Sequence, residues 1–196
     1  MVKFFFNTIF FIFFLGHFSL IHSFEDSDIF LDSVFLSAVK NSNHEKVRNI
    51  LEESLSNSEK KIEIDFLDAQ KMNALSYSLK NDDFKMYEIL TEYGANVNKT
   101  VLNGQTILIY YISTEKTQLL KKIIESGCNL NAQDKLGRSS IMVAIESLND
   151  HAVKVLSEHE YDINLTDYSG NTIYEYLDKI RNVRKKILYK NLLDIH

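Results

Sequence analysis

Gly127-Cys-Asn-Leu-Asn-Ala-Gln-Asp-Lys-Leu-Gly-Arg-Ser-Ser-Ile141 contains both markers by which the whole chain can be read. Its first half sets a glycine before an Asn-apolar-Asn triplet, and its second half sets a glycine and a hydroxyl residue before an apolar run. Working outward, the second marker returns as Lys71-Met-Asn-Ala-Leu75, Gly104-Gln-Thr-Ile-Leu108 and Gly170-Asn-Thr-Ile-Tyr174, always at a step of 33 residues. The first marker keeps the same step as Gly94-Ala-Asn-Val-Asn98 and Glu160-Tyr-Asp-Ile-Asn164. Two markers in one register define an internal repeat, the signature of a stacked architecture.

Between the markers the apolar residues recur at helical spacing, with Leu108, Tyr111 and Ile112 on a first helix and Leu119, Leu120, Ile123 and Ile124 on a second. Gly94 and Gly127 stand where a helix end needs a left-handed cap. The Asx residues that follow supply side chains that hydrogen-bond turn backbone. Thr106, Ser139 and Thr172 are placed to cap the first helices with their hydroxyls.

These residues resemble the ankyrin repeat family, whose unit runs from an Asp- and Gly-bearing turn through a T-P-L-H-x-A helix to a second helix closed by Gly-Ala-Asp-Val-Asn. Asp68, Asp134 and Asp167 match the turn aspartate, with Val101 in its place in the third unit. The family's proline is replaced by Ala74, Ile107, Ser140 and Ile173, and its histidine by Ser76, Ile109, Met142 and Glu175. The resemblance implies an all-α solenoid of stacked helix-turn-helix units with short loops or β-turns between repeats. Units are expected at about 33–68, 69–101, 102–134 and 135–167, with a terminal half-repeat over 168–196. The first of these carries extra polar residues between Leu51 and Lys61, a lengthening that a surface loop tolerates at little entropic cost.

The start of the chain differs from the rest. Met1 to Lys3 precede an apolar run from Phe4 to Gly16, and eight of the chain's thirteen phenylalanines fall between Phe4 and Phe18. This reads as a signal peptide over 1–23 cut near Ser23, which predicts a secreted or periplasmic protein. The competing reading is an uncleaved anchor spanning Phe4 to Ile21, which would tether a scaffold to a membrane. Cys128 is the single cysteine of the chain, so no intramolecular disulfide can form, and a small buried hydrophobe is the expected role.

A search for chemistry finds no ligand spacing, nucleophile elbow or phosphate loop among the 196 residues. No catalytic, cofactor-binding or metal site is expected, and the chain is read as a non-enzyme that acts as a monomer on a protein partner. Nucleic acid is not an expected partner, because residues 24–177 carry 15 basic against 25 acidic side chains. The last segment reverses this sign: Lys179, Arg181, Arg184, Lys185, Lys186 and Lys190 alternate with Leu177, Ile180, Val183, Ile187 and Leu188. It reads as an amphipathic basic helix, either a solvated cap or a surface for an acidic partner or an anionic membrane.

In ankyrin-like binders the loop tips and the concave face of first helices meet the partner. The resemblance carries that role to Met72, Leu102, Asn103, Gln105, Leu136, Arg138, Tyr168 and Asn171 at the tips, and to Lys80, Asn81, Ser113 and Thr114 on the helices. Met72, Leu102, Leu136 and Tyr168 are apolar residues at positions expected to be exposed, which suggests a contact patch. Tyr77, Tyr110 and Tyr176 recur at one repeat position, with Val143 in the fourth unit, and are read as core packing.

Overall fold

A computed structural model describes residues 30–57, 61–101, 104–114 and 116–195, so the expected signal or anchor over 1–23 lies outside the described residues. Among the described residues all regular structure is helical, apart from an isolated antiparallel bridge between Thr100 and Thr106. No described helix is long and apolar enough to cross a membrane. The chain divides into two compact units between Glu63 and Ile64.

In the first unit, helical residues 30–40 form α1 and His44–Ser56 form α2. Phe35, Leu36, Ala38 and Val39 of α1 are buried, as are Val47 and Leu51 of α2. The Asn43 side chain caps α2 by accepting the Lys46 N–H. Beyond α2 the backbone is held by Asp32, which accepts the Glu63 N–H at 3.0 Å, and by Ser54, which accepts that of Ile62 at 2.8 Å.

The second unit is four helical hairpins: α3 (Ala74–Lys80) with α4 (Phe84–Glu92), α5 (Ile107–Ser113) with α6 (Leu120–Glu125), α7 (Ser140–Glu146) with α8 (Asp150–Ser157), and α9 (Ile173–Asp178) with α10 (Val183–Leu192). First helices pack in the order α3, α5, α7, α9, while α8 lies between α6 and α10. Each first helix but the last buries six consecutive side chains, Ala74 to Leu79, Ile107 to Ile112 and Ser140 to Ile145. A helix covered on all sides can be apolar all round, and each fully buried Leu or Ile contributes about 1.5–3 kcal/mol.

The second hairpin's inner turn shows how polar groups are satisfied in such a core. Tyr111 is fully buried, and its hydroxyl accepts the Leu119 N–H at 3.0 Å, a donor that no side-chain cap serves at the start of α6. Thr106 caps α5, and Thr172 forms a full capping box with Glu175 on α9. Ser139 does not cap α7: its hydroxyl is buried and unpartnered, and nothing in the structure explains it.

The loops are joined by a ladder of Asx side chains. Asp65 accepts the Asn96 N–H at 3.1 Å, Asn98 that of Asn129 at 2.7 Å, and Asn131 that of Asp162 at 2.8 Å, each pair 31 residues apart. Within each loop Asn96, Asn129 and Asp162 in turn accept the N–H two residues on. Gly94 and Gly127 cap their helices at φ +87°, as the repeat pattern requires.

The C-terminal segment differs from expectation. Residues 168–196, expected as a half-repeat, contain the two helices α9 and α10. The stretch read as one basic amphipathic helix is broken, because α9 ends at Asp178 and Asn182 caps a new helix by accepting the Lys185 N–H. Leu177 and Ile180 are buried, but Val183, Ile187 and Leu188 are 67%, 53% and 43% exposed. The seam of α10 is Tyr189, fully buried, whose hydroxyl donates to Asp150 at 2.5 Å. Among the described residues no further first helix packs on the far side of α9 from α7, so Tyr174 and Glu175 are exposed where α5 and α7 bury their counterparts.

The turn aspartates lock the hairpin tips. Asp167 accepts the N–H groups of Ser169 and Asn171 at 2.9 and 2.8 Å, the Asn171 side-chain amide, and the Tyr176 hydroxyl at 2.8 Å. Desolvation alone would raise its pKa, but the Asn171 side chain and N–H, Tyr176 and Ser169 outweigh it and hold the carboxyl at about 2. A carboxylate depressed below its unfolded value of about 3.9 adds stability that is complete above that pH and is lost as pH falls toward the folded value. The urea midpoint is expected to drop between about pH 4 and pH 2, and Asp167→Asn to flatten part of that slope. Identical slopes for the two proteins would show that Asp167 is not linked to folding.

Candidate functional site

The repeat positions sort into side chains that fold back on the turn and side chains that leave it. Met72, Gln105, Arg138 and Asn171 share one position, directly after the turn, and none is a free tip. Asn171 gives its amide to both oxygens of Asp167 at 3.1 and 3.0 Å. Arg138 makes a forked pair with Asp134 at 3.0 and 2.7 Å and also reaches Glu146. The Met72 side chain has no polar group to add to its N–H bond with Asp68 and the residue is 5% exposed, which corrects its reading as an exposed apolar tip. Gln105 is half-buried, and its carbonyl accepts the Val101 N–H at 2.8 Å.

The outward positions come just before. Leu102 and Asn103 lie outside the described residues. Leu136 and Tyr168, on consecutive tips, are 51% and 75% exposed. They form one patch, since the Tyr168 N–H donates to the Leu136 carbonyl at 3.0 Å. The Tyr168 ring and backbone lie over Gly137, where an added Cβ would stand 2.5 Å from ring carbon Cδ1 and 2.6 Å from the backbone nitrogen.

On the helices, Lys80 and Asn81 are exposed at the end of α3. Ser113 and Thr114 turn their hydroxyls back onto the carbonyls of Tyr110 and Tyr111, both at 2.7 Å, so these donors are spent within α5. Lys80 lies 5.9 Å above the Tyr77 ring and Lys179 4.9 Å above the Tyr176 ring, close enough for a cation–π attraction. The tyrosine row is buried, at 9%, 9% and 6% exposure for Tyr77, Tyr110 and Tyr176.

Described residues of these hairpins form two grooves. One, of about 450 Å³, is bordered by Met72 and Lys71 of the first tip, by Tyr77 and Lys80 of α3 and by Tyr110 of α5. The other, of about 400 Å³, lies between the ends of α7 and α9, against Glu146, Leu148, Tyr176 and Arg181. The first collects Met72 and Lys80 from the residues named by sequence, and adds Tyr77 and Tyr110, which the sequence reading gave to the core. Cys128 is half-buried away from both, its Sγ 3.9 Å from the Val97 carbonyl and its thiol pushed up to about 12 by burial.

Repeated hairpins, Asx-linked loops and an apolar tip patch define a stacked helical-repeat protein with an open face. Residues 98–167 match the family model for ankyrin repeats in three copies. The chain is similar to an ankyrin repeat protein of fowlpox virus (strain NVSL), 26% identical over 117 residues that make up 60% of this chain and 17% of the viral one. It is also similar to human Rabankyrin-5, 24% identical over 125 residues, 57% of this chain and 11% of that one. A third relative is human ankyrin repeat and SOCS box protein 6, 26% identical over 109 residues, 52% of this chain and 26% of that protein. The chain thus spans only a minor part of the relatives it matches.

Gly137→Ala tests the patch geometry. The methyl group would collide with Tyr168 at a residue whose φ is +78°, and the expected loss is about 1–3 kcal/mol by urea unfolding. Gly170→Ala, with φ +81° but nothing within 4 Å of the added carbon, is expected to lose less. Equal losses would mean that backbone strain, and not the contact with Tyr168, sets the cost.

Proposed function

We propose that this chain is a non-catalytic protein-interaction module, a monomer that grips one partner through its hairpin tips and first-helix face. The observation that carries this reading is the exposed pair Leu136 and Tyr168, joined at 3.0 Å across consecutive tips and kept in register by Gly137. An aromatic and an aliphatic side chain presented on rigid neighbouring turns lose little entropy on binding, which is what a contact hot spot needs. The two grooves described above are open, whereas a small-molecule site encloses most of its ligand.

The partner is expected in a secreted or periplasmic compartment, on the strength of the charged start and apolar run that end near Ser23. A second reading, a scaffold tethered by an uncleaved N-terminal segment, is favoured by Val183, Ile187 and Leu188 standing exposed beside Arg184 and Lys190 on α10. The intact mass of exported protein separates the two. Loss of residues 1–23 supports the first, and their retention supports the tether.

Affinity capture from the extracellular or periplasmic fraction tests the interaction itself. A defined partner is expected to be retained by the native chain and reduced by tenfold or more when Leu136 and Tyr168 are both changed to Asp. Undiminished capture by that double variant would remove the proposed patch.

A further inference from the structure

Tyr110 carries a hydroxyl that the repeat pattern would normally occupy. In the first and fourth hairpins of the second unit, the tyrosine nine residues after the turn aspartate donates to it, Tyr77 to Asp68 at 2.5 Å and Tyr176 to Asp167 at 2.8 Å. The third hairpin has the aspartate without the tyrosine, and Arg138 takes the carboxylate instead. The second hairpin is the converse case, because Val101 replaces the aspartate nine residues before Tyr110. Neither does a lysine lie over this ring: Ser113 stands three residues on, where Lys80 and Lys179 follow the other two.

Tyr110 is 9% exposed, and among the described residues its O–H has no acceptor. The ring forms one wall of the 450 Å³ groove that also holds Met72, Tyr77, Lys71 and Lys80. Neither lysine forms an ion pair among the described residues, although the Lys80 ammonium rests over Tyr77. The nearby Asp68 keeps its negative charge but turns its oxygens to the Gln70 and Met72 N–H groups and the Tyr77 hydroxyl, and Lys71 and Lys80 set two positive charges against it. Burial, and after it the neighbouring Tyr77, pushes the Tyr110 phenol up, so it remains a donor at neutral pH.

We infer that this groove is a subsite for one carboxylate side chain, Glu or Asp, of an extended segment of the protein partner. The Tyr110 hydroxyl is the buried donor, Lys71 and Lys80 are the charges at the rim, and Met72 with the Tyr77 ring receives an apolar neighbour of the acidic residue. The partner supplies in trans the acceptor that Asp68 and Asp167 supply within their own hairpins. This assignment rests on the interaction function proposed above and deepens it by naming what the partner brings.

The position of Val101 provides an unusually specific test. Asp134 and Asp167 occupy the equivalent place at 2% and 9% exposure, so V101D is expected to fold, and its new carboxylate would engage Tyr110 from within. Y110F removes the donor alone. The full chain would be panned against displayed random ten-residue peptides, and recovered sequences remade with each Glu or Asp as Gln or Asn. Affinities would be read by fluorescence anisotropy, and circular dichroism would confirm folding of each variant. Acidic residues are expected to be enriched, and the amide peptides, Y110F and V101D each to weaken binding about tenfold. Enriched peptides without an acidic residue, or acidic peptides insensitive to both variants, would overturn the assignment. Peptides lost only on changing Leu136 and Tyr168 to Asp would remove the carboxylate subsite and leave the interaction face standing. Failure of that face is read separately, by the partner-capture experiment.

Discussion

Helices of six or seven residues do not hold together in water, because nucleation costs more than so few hydrogen bonds return. Yet α3, α5 and α7 are each of that length and bury six side chains in a row. Their helicity comes from lateral cover: α5 lies between α3 and α7, and α7 between α5 and α9. No hairpin of this set is a fold by itself, and the core is shared along the row. The rest of the second unit follows from keeping neighbours in register. The loops do this through Asp65, Asn98 and Asn131, whose side chains reach forward to the backbone of the next hairpin.

With register set by side chains that face the backbone, the tips are released from any duty to fold. One repeat position carries Ala69, Lys135 and Tyr168, and the next carries Gln70, Leu136 and Ser169. The lock beneath the tips varies too, but in a compensated way. Asp134 lacks a tyrosine and gains Arg138, while Asp68 and Asp167 keep their phenols. Among the described residues, the hairpin with Val101 leaves its tyrosine hydroxyl without an acceptor, and that hairpin borders the groove. A repeat protein can thus turn a missing internal bond into an external one without touching its core.

The period of 33 residues, the cap glycines and the Asx loops were all legible in the sequence, because each is a backbone requirement that only a few residue types meet. The exposure of Leu136 and Tyr168 was legible from their place on the turns that lead to Gly137 and Gly170. Met72 was misread because its neighbours in register are polar, and a polar residue at that position looks exposed until Arg138 and Asn171 are seen folding back on their aspartates. The C-terminal helix was misread because Asn182 resets the helical phase, moving the buried seam to Tyr189. The pairing of the aspartate and tyrosine rows was present in the sequence as two columns nine residues apart. It became visible only when the hydroxyls and carboxylates were found at 2.5 and 2.8 Å.

The Asx ladder has a direction. Asn164 stands where its predecessors reach forward, but the N–H it would meet, that of Ile195, donates instead to the Lys190 carbonyl at 2.9 Å. Tyr174 likewise stands uncovered at the side of α9. A further first helix would find the Tyr174 ring ready to be covered, whereas the loop ladder would first have to free the Ile195 N–H from its own helix end.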